Sequence, residues 1–156
     1  MEGYEAAIKS DFSFDFEKTT KVKNLADQIS KQNAISIHAR RVQYSHLLDL
    51  SYYIEAISII KQSVEKPVFF VFSDDIEWCR NNFPNAESLN FISHDMTDEV
   101  ADLWLMSLCK HHIIANSSFS WWGAWLSAYQ AKIVVAPKNT QIGVEGDLYP
   151  QEWILI

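Results

Sequence analysis

Asn116, Ser117 and Ser118 stand where one apolar run, residues 111–115, gives way to another that carries Trp121, Trp122 and Trp125. The first run reads as a buried strand and the second as a helix, so the two hydroxyls fall at a helix start. There the leading amide hydrogens lack intrahelical partners and the helix dipole is positive; together they can hold an anion, usually phosphate. The same residues would also serve as a plain cap, with Ser117 or Ser118 accepting from the first turn. By itself the run favours the cap. The rest of the sequence turns the reading toward a ligand.

Arg40 and Arg41 follow a second short apolar run in a chain that is otherwise acidic. A guanidinium is a planar fork of donors matched to phosphate oxygens, so a pair of them could handle a pyrophosphate without a metal. Otherwise the pair is solvated or neutralised by carboxylates such as Asp74. His38 lies on the same strand end and reads, as a lone residue, as a hydrogen-bonded structural histidine. Asp74, Asp75, Asp95 and Asp102 could receive donors from a purine or ribose or could cap helices, and Asp75 fits the cap better.

The elements that must position these groups alternate regularly after an irregular opening, residues 1–20. Helices are expected at 21–32, at 51–64, from Asp74 or Asp75 to about Pro84, from a Thr97 cap to Cys109, and at 118–129. Strands are expected at 34–38, 68–72, 89–93, 111–115 and 133–136. The apolar stripe Tyr53, Ile54, Ile57, Ile60 and Val64 has helical spacing, and the unbroken run 68–72 suits a strand buried on both faces. Five strands with a helix between neighbours make a βαβ series, hence a parallel sheet with helices on both faces. In such sheets ligands bind beyond the carboxyl ends of the strands. The sequence puts His38-Ala-Arg-Arg41, Ser73-Asp-Asp75, Ser93-His-Asp95 and Asn116-Ser-Ser118 there.

The 156 residues fit one domain, 1–156, and a hydrophobic share of 48% supports a packed core. A net charge of −7 excludes nucleic acid or an anionic bilayer as a general partner, so an anionic ligand needs a local cationic cluster. Cys79 and Cys109 fall in expected helices as buried thiols, which suits a cytoplasmic protein. No leader is read at the start, and no apolar run nears the ~20 residues of a membrane span. Neither a dinucleotide fingerprint nor a P-loop occurs. No metal motif occurs either, since His111 and His112, adjacent in a strand, point to opposite faces. The tryptophans at 121, 122 and 125 are expected in the core.

Several motifs resemble one family. Asp102-Leu-Trp-Leu-Met-Ser-Leu-Cys-Lys-His-His-Ile-Ile-Ala-Asn-Ser-Ser-Phe-Ser-Trp-Trp-Gly-Ala-Trp-Leu126 closely resembles the signature of the α-1,2-fucosyltransferases, glycosyltransferase family 11. Ser36-Ile-His-Ala-Arg-Arg-Val-Gln-Tyr44 is similar to their H-x-R-R-G-D-Y motif. Phe70-Val-Phe-Ser-Asp-Asp-Ile-Glu-Trp-Cys79 and Leu148-Tyr-Pro-Gln-Glu-Trp153 also look like the family.

The resemblance implies the Rossmann-like donor-binding half of a GT-B-type enzyme, inverting and metal-independent, that moves L-fucose from GDP-fucose to a galactose 2-hydroxyl on a glycan. By that analogy Arg40 and His38 are the catalytic pair, with Arg40 neutralising the pyrophosphate. Arg41, Asp74, Asn116, Ser117, Ser118 and Phe119 line the donor site, and Asp102 addresses the guanine. The alternative is a module that binds GDP or GDP-fucose without transfer.

Three departures from the family stand out. Val42-Gln43 replaces Gly-Asp after the arginines. The loop between Tyr44 and Leu50 is shorter; it lies near the acceptor in the family, and His46 and Asp49 are its candidate bases. The family's N-terminal acceptor domain is expected to be absent. The surface it would cover is expected to favour a homo-oligomer, a partner supplying that half, or peripheral association with the inner membrane.

Overall fold

The computed structural model describes residues 2–12, 14–42, 46–94, 99–138 and 148–156. Their order is α1 (Glu2–Asp11), α2 (Thr20–Ser30), β1 (Asn33–Ala39), α3 (Leu50–Ser63), β2 (Pro67–Ser73), α4 (Ile76–Asn82), β3 (Leu89–Phe91), α5 (Val100–Leu108), β4 (His111–Ile113), α6 (Ser118–Leu126), β5 (Val134–Ala136) and β6 (Ile154–Leu155). Thr19 caps α2, accepting from the Val22 amide at 3.3 Å, and Asp75 caps α4, accepting from Trp78 at 2.9 Å.

One six-stranded sheet runs β3-β2-β1-β4-β5-β6, every pairing parallel. The chain winds outward from β1 to β3, then returns to the other side of β1 with β4. The order therefore reverses between β1 and β4, and a crevice opens there at the carboxyl ends. This is a Rossmann-like α/β fold.

Alternation along β1 sorts the two faces. Ile35, Ile37 and Ala39 pack with Tyr52, Tyr53, Ala56, Ile57 and Ile60 of α3 and with Cys79 of α4. Ala34 lies on the opposite face, with Val22 and Ile29 of α2, and with Ala101, Leu105 and Met106 of α5. Ala124 of α6 covers Ile114 and Val134 on that side. A Cβ at Gly123 would run into Met106, 3.2 Å from its own Cβ, so glycine is what lets α6 lie close on α5.

Several expectations shift. Residues 2–11 are helical, where the opening read as irregular, because scattered aromatics hid the weak periodicity of α1. A sixth strand, β6, follows five expected ones; its two residues are too few to show a pattern. On α3 the expected stripe is buried at Tyr53, Ile57, Ile60 and Val64, but Ile54 is 45% exposed and Tyr52 is buried in addition. α6 stops at Leu126, short of Tyr129, and β3 and β4 end two residues early. The α5 N-cap position is Glu99; Thr97 and Asp95 lie outside the described residues. Trp121, Trp122 and Trp125 are half-buried; Trp121 and Trp125 pack against the core beside Ala124, while the fully buried positions of α6 are Ser120, Gly123 and Ala124. No helix among the described residues is long and apolar enough to cross a membrane.

Candidate functional site

β1 and β4 are in register through Ile37 and Ile113, so the segments leaving them, toward Arg40 and Asn116, emerge side by side at the reversal. Three contacts fix α6 against the ends of β1 and β4. The Ser120 hydroxyl bonds Nδ1 of His38, and it accepts from the Ala115 amide at 3.0 Å. The Phe119 ring lies 5.4 Å from the His38 ring. The helix whose start could receive an anion is thereby held beside the strand that delivers the arginines.

Arg40 sits at the mouth of the crevice. Its Nε is 3.2 Å from Asp74 Oδ2 and its Nη1 3.7 Å from Glu99 Oε1. A guanidinium carries five N–H donors, so these two carboxylates leave capacity for phosphate oxygens. Asp74 does more than neutralise: it also accepts from the Arg41 and Val42 amides at 2.7 and 3.0 Å. One carboxylate at the end of β2 thus clamps the turn leaving β1 and orients Arg40. Val42 sits in that turn with an ordinary backbone, since the non-glycine residues with positive φ, among those described, are Lys66 and Asn85. Position 42 does not require glycine; Gln43 lies outside the described residues.

Arg41 goes elsewhere. Its guanidinium lies 3.5 Å over the Trp78 ring, and Nη1 donates to the Leu48 carbonyl at 3.1 Å. Its Nε is buried without a partner among the described residues. It braces α4 and the 46–49 segment on the α3 side, away from the crevice. Asn116 is buried and also holds that segment, its Nδ2 donating to the His46 carbonyl at 2.9 Å. His46 and Asp49 line a separate cavity of about 370 Å³ with Glu55, Asn116 and Lys138.

His38 is neutral at pH 7. Burial pulls its pKa down to about 4, with Arg40 adding to the pull and Asp74 opposing it. Because the Ser120 oxygen already accepts from Ala115, both groups are satisfied when its own proton goes to Nδ1, which puts the ring proton on Nε2.

Ser117 occupies the α6 N-cap position but its side chain makes no capping bond. Ser118 begins the helix and is exposed. The two serines border a cavity of about 240 Å³ with Trp121, Trp122, Leu148 and Tyr149. Asp102, in the first turn of α5, is bound at 2.8 Å to His94 Nε2; burial raises its pKa and His94 draws it back.

The residues read from sequence therefore divide into two groups. His38, Arg40, Ser117, Ser118 and Phe119 converge on the reversal, with Asp74 behind Arg40, whereas Arg41 and Asn116 brace the loop and Asp102 sits at the start of α5. Ser120, Trp78 and Glu99 are contributors that sequence reasoning missed. Ser120 carried a signal: it is the third hydroxyl of Ser117-Ser-Phe-Ser120, at helical distance from the first. Among the described residues, no three His, Cys, Asp or Glu side chains gather as a metal site.

A carboxylate-held arginine beside a helix start, at the topological switch point of a Rossmann-like sheet, is an arrangement that can receive an anion. The chain belongs to glycosyl transferase family 11, whose model matches residues 13–156. It is 41% identical to an α-1,2-colitosyltransferase of Escherichia coli over 151 aligned positions, covering 86% of this chain and 51% of that protein. It is 40% identical to the O-antigen biosynthesis glycosyltransferase WbnK of Escherichia coli, covering 69% of this chain and 39% of WbnK. Human galactoside α-(1,2)-fucosyltransferase 1 is 26% identical over 104 positions, 60% of this chain and 28% of the human protein. The chain spans about half, or less, of the length of these relatives.

Proposed function

We propose that the chain is the donor-binding part of a GT-B-type α-1,2-glycosyltransferase that moves L-fucose from GDP-fucose to the 2-hydroxyl of a galactose on a glycan. The observation that carries this is Arg40, held by Asp74 at the end of β1, beside the start of α6 at the switch point. In this reading the pyrophosphate lies between the Arg40 guanidinium and the amides of Ser118 and Phe119. The C1–O bond of the donor breaks and its electron pair leaves on the β-phosphate. The galactose O2 bonds C1 from the opposite face and gives its proton to a base. Charge grows on the leaving phosphate, and a fixed cation and fixed backbone dipoles stabilise it without reorganisation, so no metal is needed. Neutral His38 positions Phe119 and donates from Nε2 toward the same oxygens.

Calorimetric titration with GDP-fucose, GDP-mannose and GDP tests this. Arg40→Ala should weaken GDP-fucose binding by about 2–5 kcal/mol, as for a truncated charge pair. Ser118→Ala should weaken it more than it lowers Tm, and EDTA should change nothing. If none of the three ligands binds, the donor-site reading fails. A second reading takes colitose, L-fucose lacking the 3-hydroxyl, as the sugar; the relative named as an α-1,2-colitosyltransferase favours it. It predicts that GDP-fucose binds no better than GDP while GDP-colitose binds better than both.

A further inference from the structure

The cavity beside Ser117 and Ser118 is one end of a longer groove. A second cavity, of about 670 Å³, shares Trp121, Leu148 and Tyr149 with it and continues along α6 to Trp125 and Trp153. Its polar side is built from Glu5, Gln151 and Glu152, among others.

Three features say what kind of molecule fits. First, the lining is aromatic: Trp121 stacks on Trp125 at 5.8 Å, Tyr149 lies 5.7 Å from Trp153, and none of the first three rings is fully buried. Ring faces are electron-rich and attract the slightly positive C–H bonds on the apolar face of a pyranose. Second, the polar groups are carboxylates and amides, which accept from and donate to hydroxyls. Third, both lysines of the groove are already committed. Lys9 lies 4.9 Å over the Trp125 ring. Lys132 donates from Nζ to the carbonyls of Ala124, Trp125 and Ser127 at 2.9, 3.1 and 3.0 Å, closing the end of α6. With Lys9 over a ring and Lys132 turned to backbone carbonyls, the remaining described lining of carboxylates, amides and rings suits a neutral hydroxylated ligand better than a phosphate.

We propose that this groove binds the neutral sugar residues of the acceptor glycan that extend beyond the galactose receiving the transfer. The inference rests on the donor site proposed above, because the groove begins at Ser117 and Ser118, where that site ends. Lengthening the acceptor by residues that lie along α6 then adds stacking and hydroxyl contacts without touching the reacting centre.

The test titrates the 156-residue chain with galactose, with a neutral tetrasaccharide ending in β-galactose, and separately with GDP, following tryptophan fluorescence and saturation-transfer NMR. The tetrasaccharide should bind about tenfold more tightly than galactose, the equivalent of one added ring contact. Trp125→Leu should abolish that advantage. The surface double variant Gln151→Ala, Glu152→Ala should reduce it with Tm unchanged, which covers the case that Trp125→Leu misfolds. Both variants should leave GDP affinity as it was. Equal affinity for galactose and tetrasaccharide, or an advantage that survives the surface variant, overturns the groove while the donor site stands on its GDP binding. A groove-dependent tetrasaccharide signal with no GDP binding sinks the donor reading and keeps a glycan site.

Discussion

The two faces of the sheet are built on different terms. Toward α3 and α4, β1 presents Ile35, Ile37 and Ala39, and the tyrosine hydroxyls of α3 are among the buried polar atoms there. Tyr52 donates to the carbonyls of Ile114 and Val135 at 2.6 and 3.2 Å, and Tyr53 to that of His38 at 3.4 Å, so each satisfies a strand end. Toward α5 and α6 the same strand presents Ser36 and His38. Ser36 bonds His112 at 2.7 Å, and His38 bonds Ser120. One face stabilises the fold; the other spends part of its burial on imidazoles and hydroxyls that hold α6 in place. The difference teaches that the crevice is supported from the polar face, where a lost partner leaves a buried group unsatisfied.

Substitutions on each face can break this contrast. Ile60→Ala, on the apolar face, should cost about 2–5 kcal/mol in stability by chemical denaturation and leave GDP affinity per folded molecule unchanged. A loss of affinity in the folded fraction would mean that the faces are not independent. Ser120→Ala, on the polar face, should cost less stability, about 1–3 kcal/mol, because it strands His38 Nδ1 and the Ala115 amide. It should also weaken GDP binding, since α6 loses its tie to β1. Stability without an affinity change would remove Ser120 from the support of the site.

Acid provides a further test. Burial pulls His38 down to about 4 and His112 to about 3, so both stay neutral in the folded chain while the unfolded chain takes up protons near pH 6.5. Stability should therefore hold above pH 6.5 and fall below it, by up to about 1.4 kcal/mol per pH unit for each histidine, until the folded-state values are reached. His112→Leu should flatten that slope, and a slope unchanged in this variant would place the acid sensitivity elsewhere.

Much of this was legible in the chain itself. The run 68–72 reads as a doubly buried strand, Asp75 as the better cap and Asn116-Ser-Ser118 as a helix start, because each follows from local stereochemistry and patterning. Short elements escaped, since two or three residues, as in β6, show no period. The roles of Arg40 and Arg41 looked alike for the same reason: identical neighbours in sequence carry no sign of which way each will turn.

Sequence alone determined that polar side chains would gather at the carboxyl ends of a parallel sheet, because the βαβ series orients every strand the same way. Tertiary structure decided which of those ends meet. Strand order puts β1 beside β4, so Arg40 comes beside the start of α6, while Trp78 and Leu48 draw Arg41 to the other face. Pairing between strands and stacking on a ring are long-range contacts, and no local pattern encodes them.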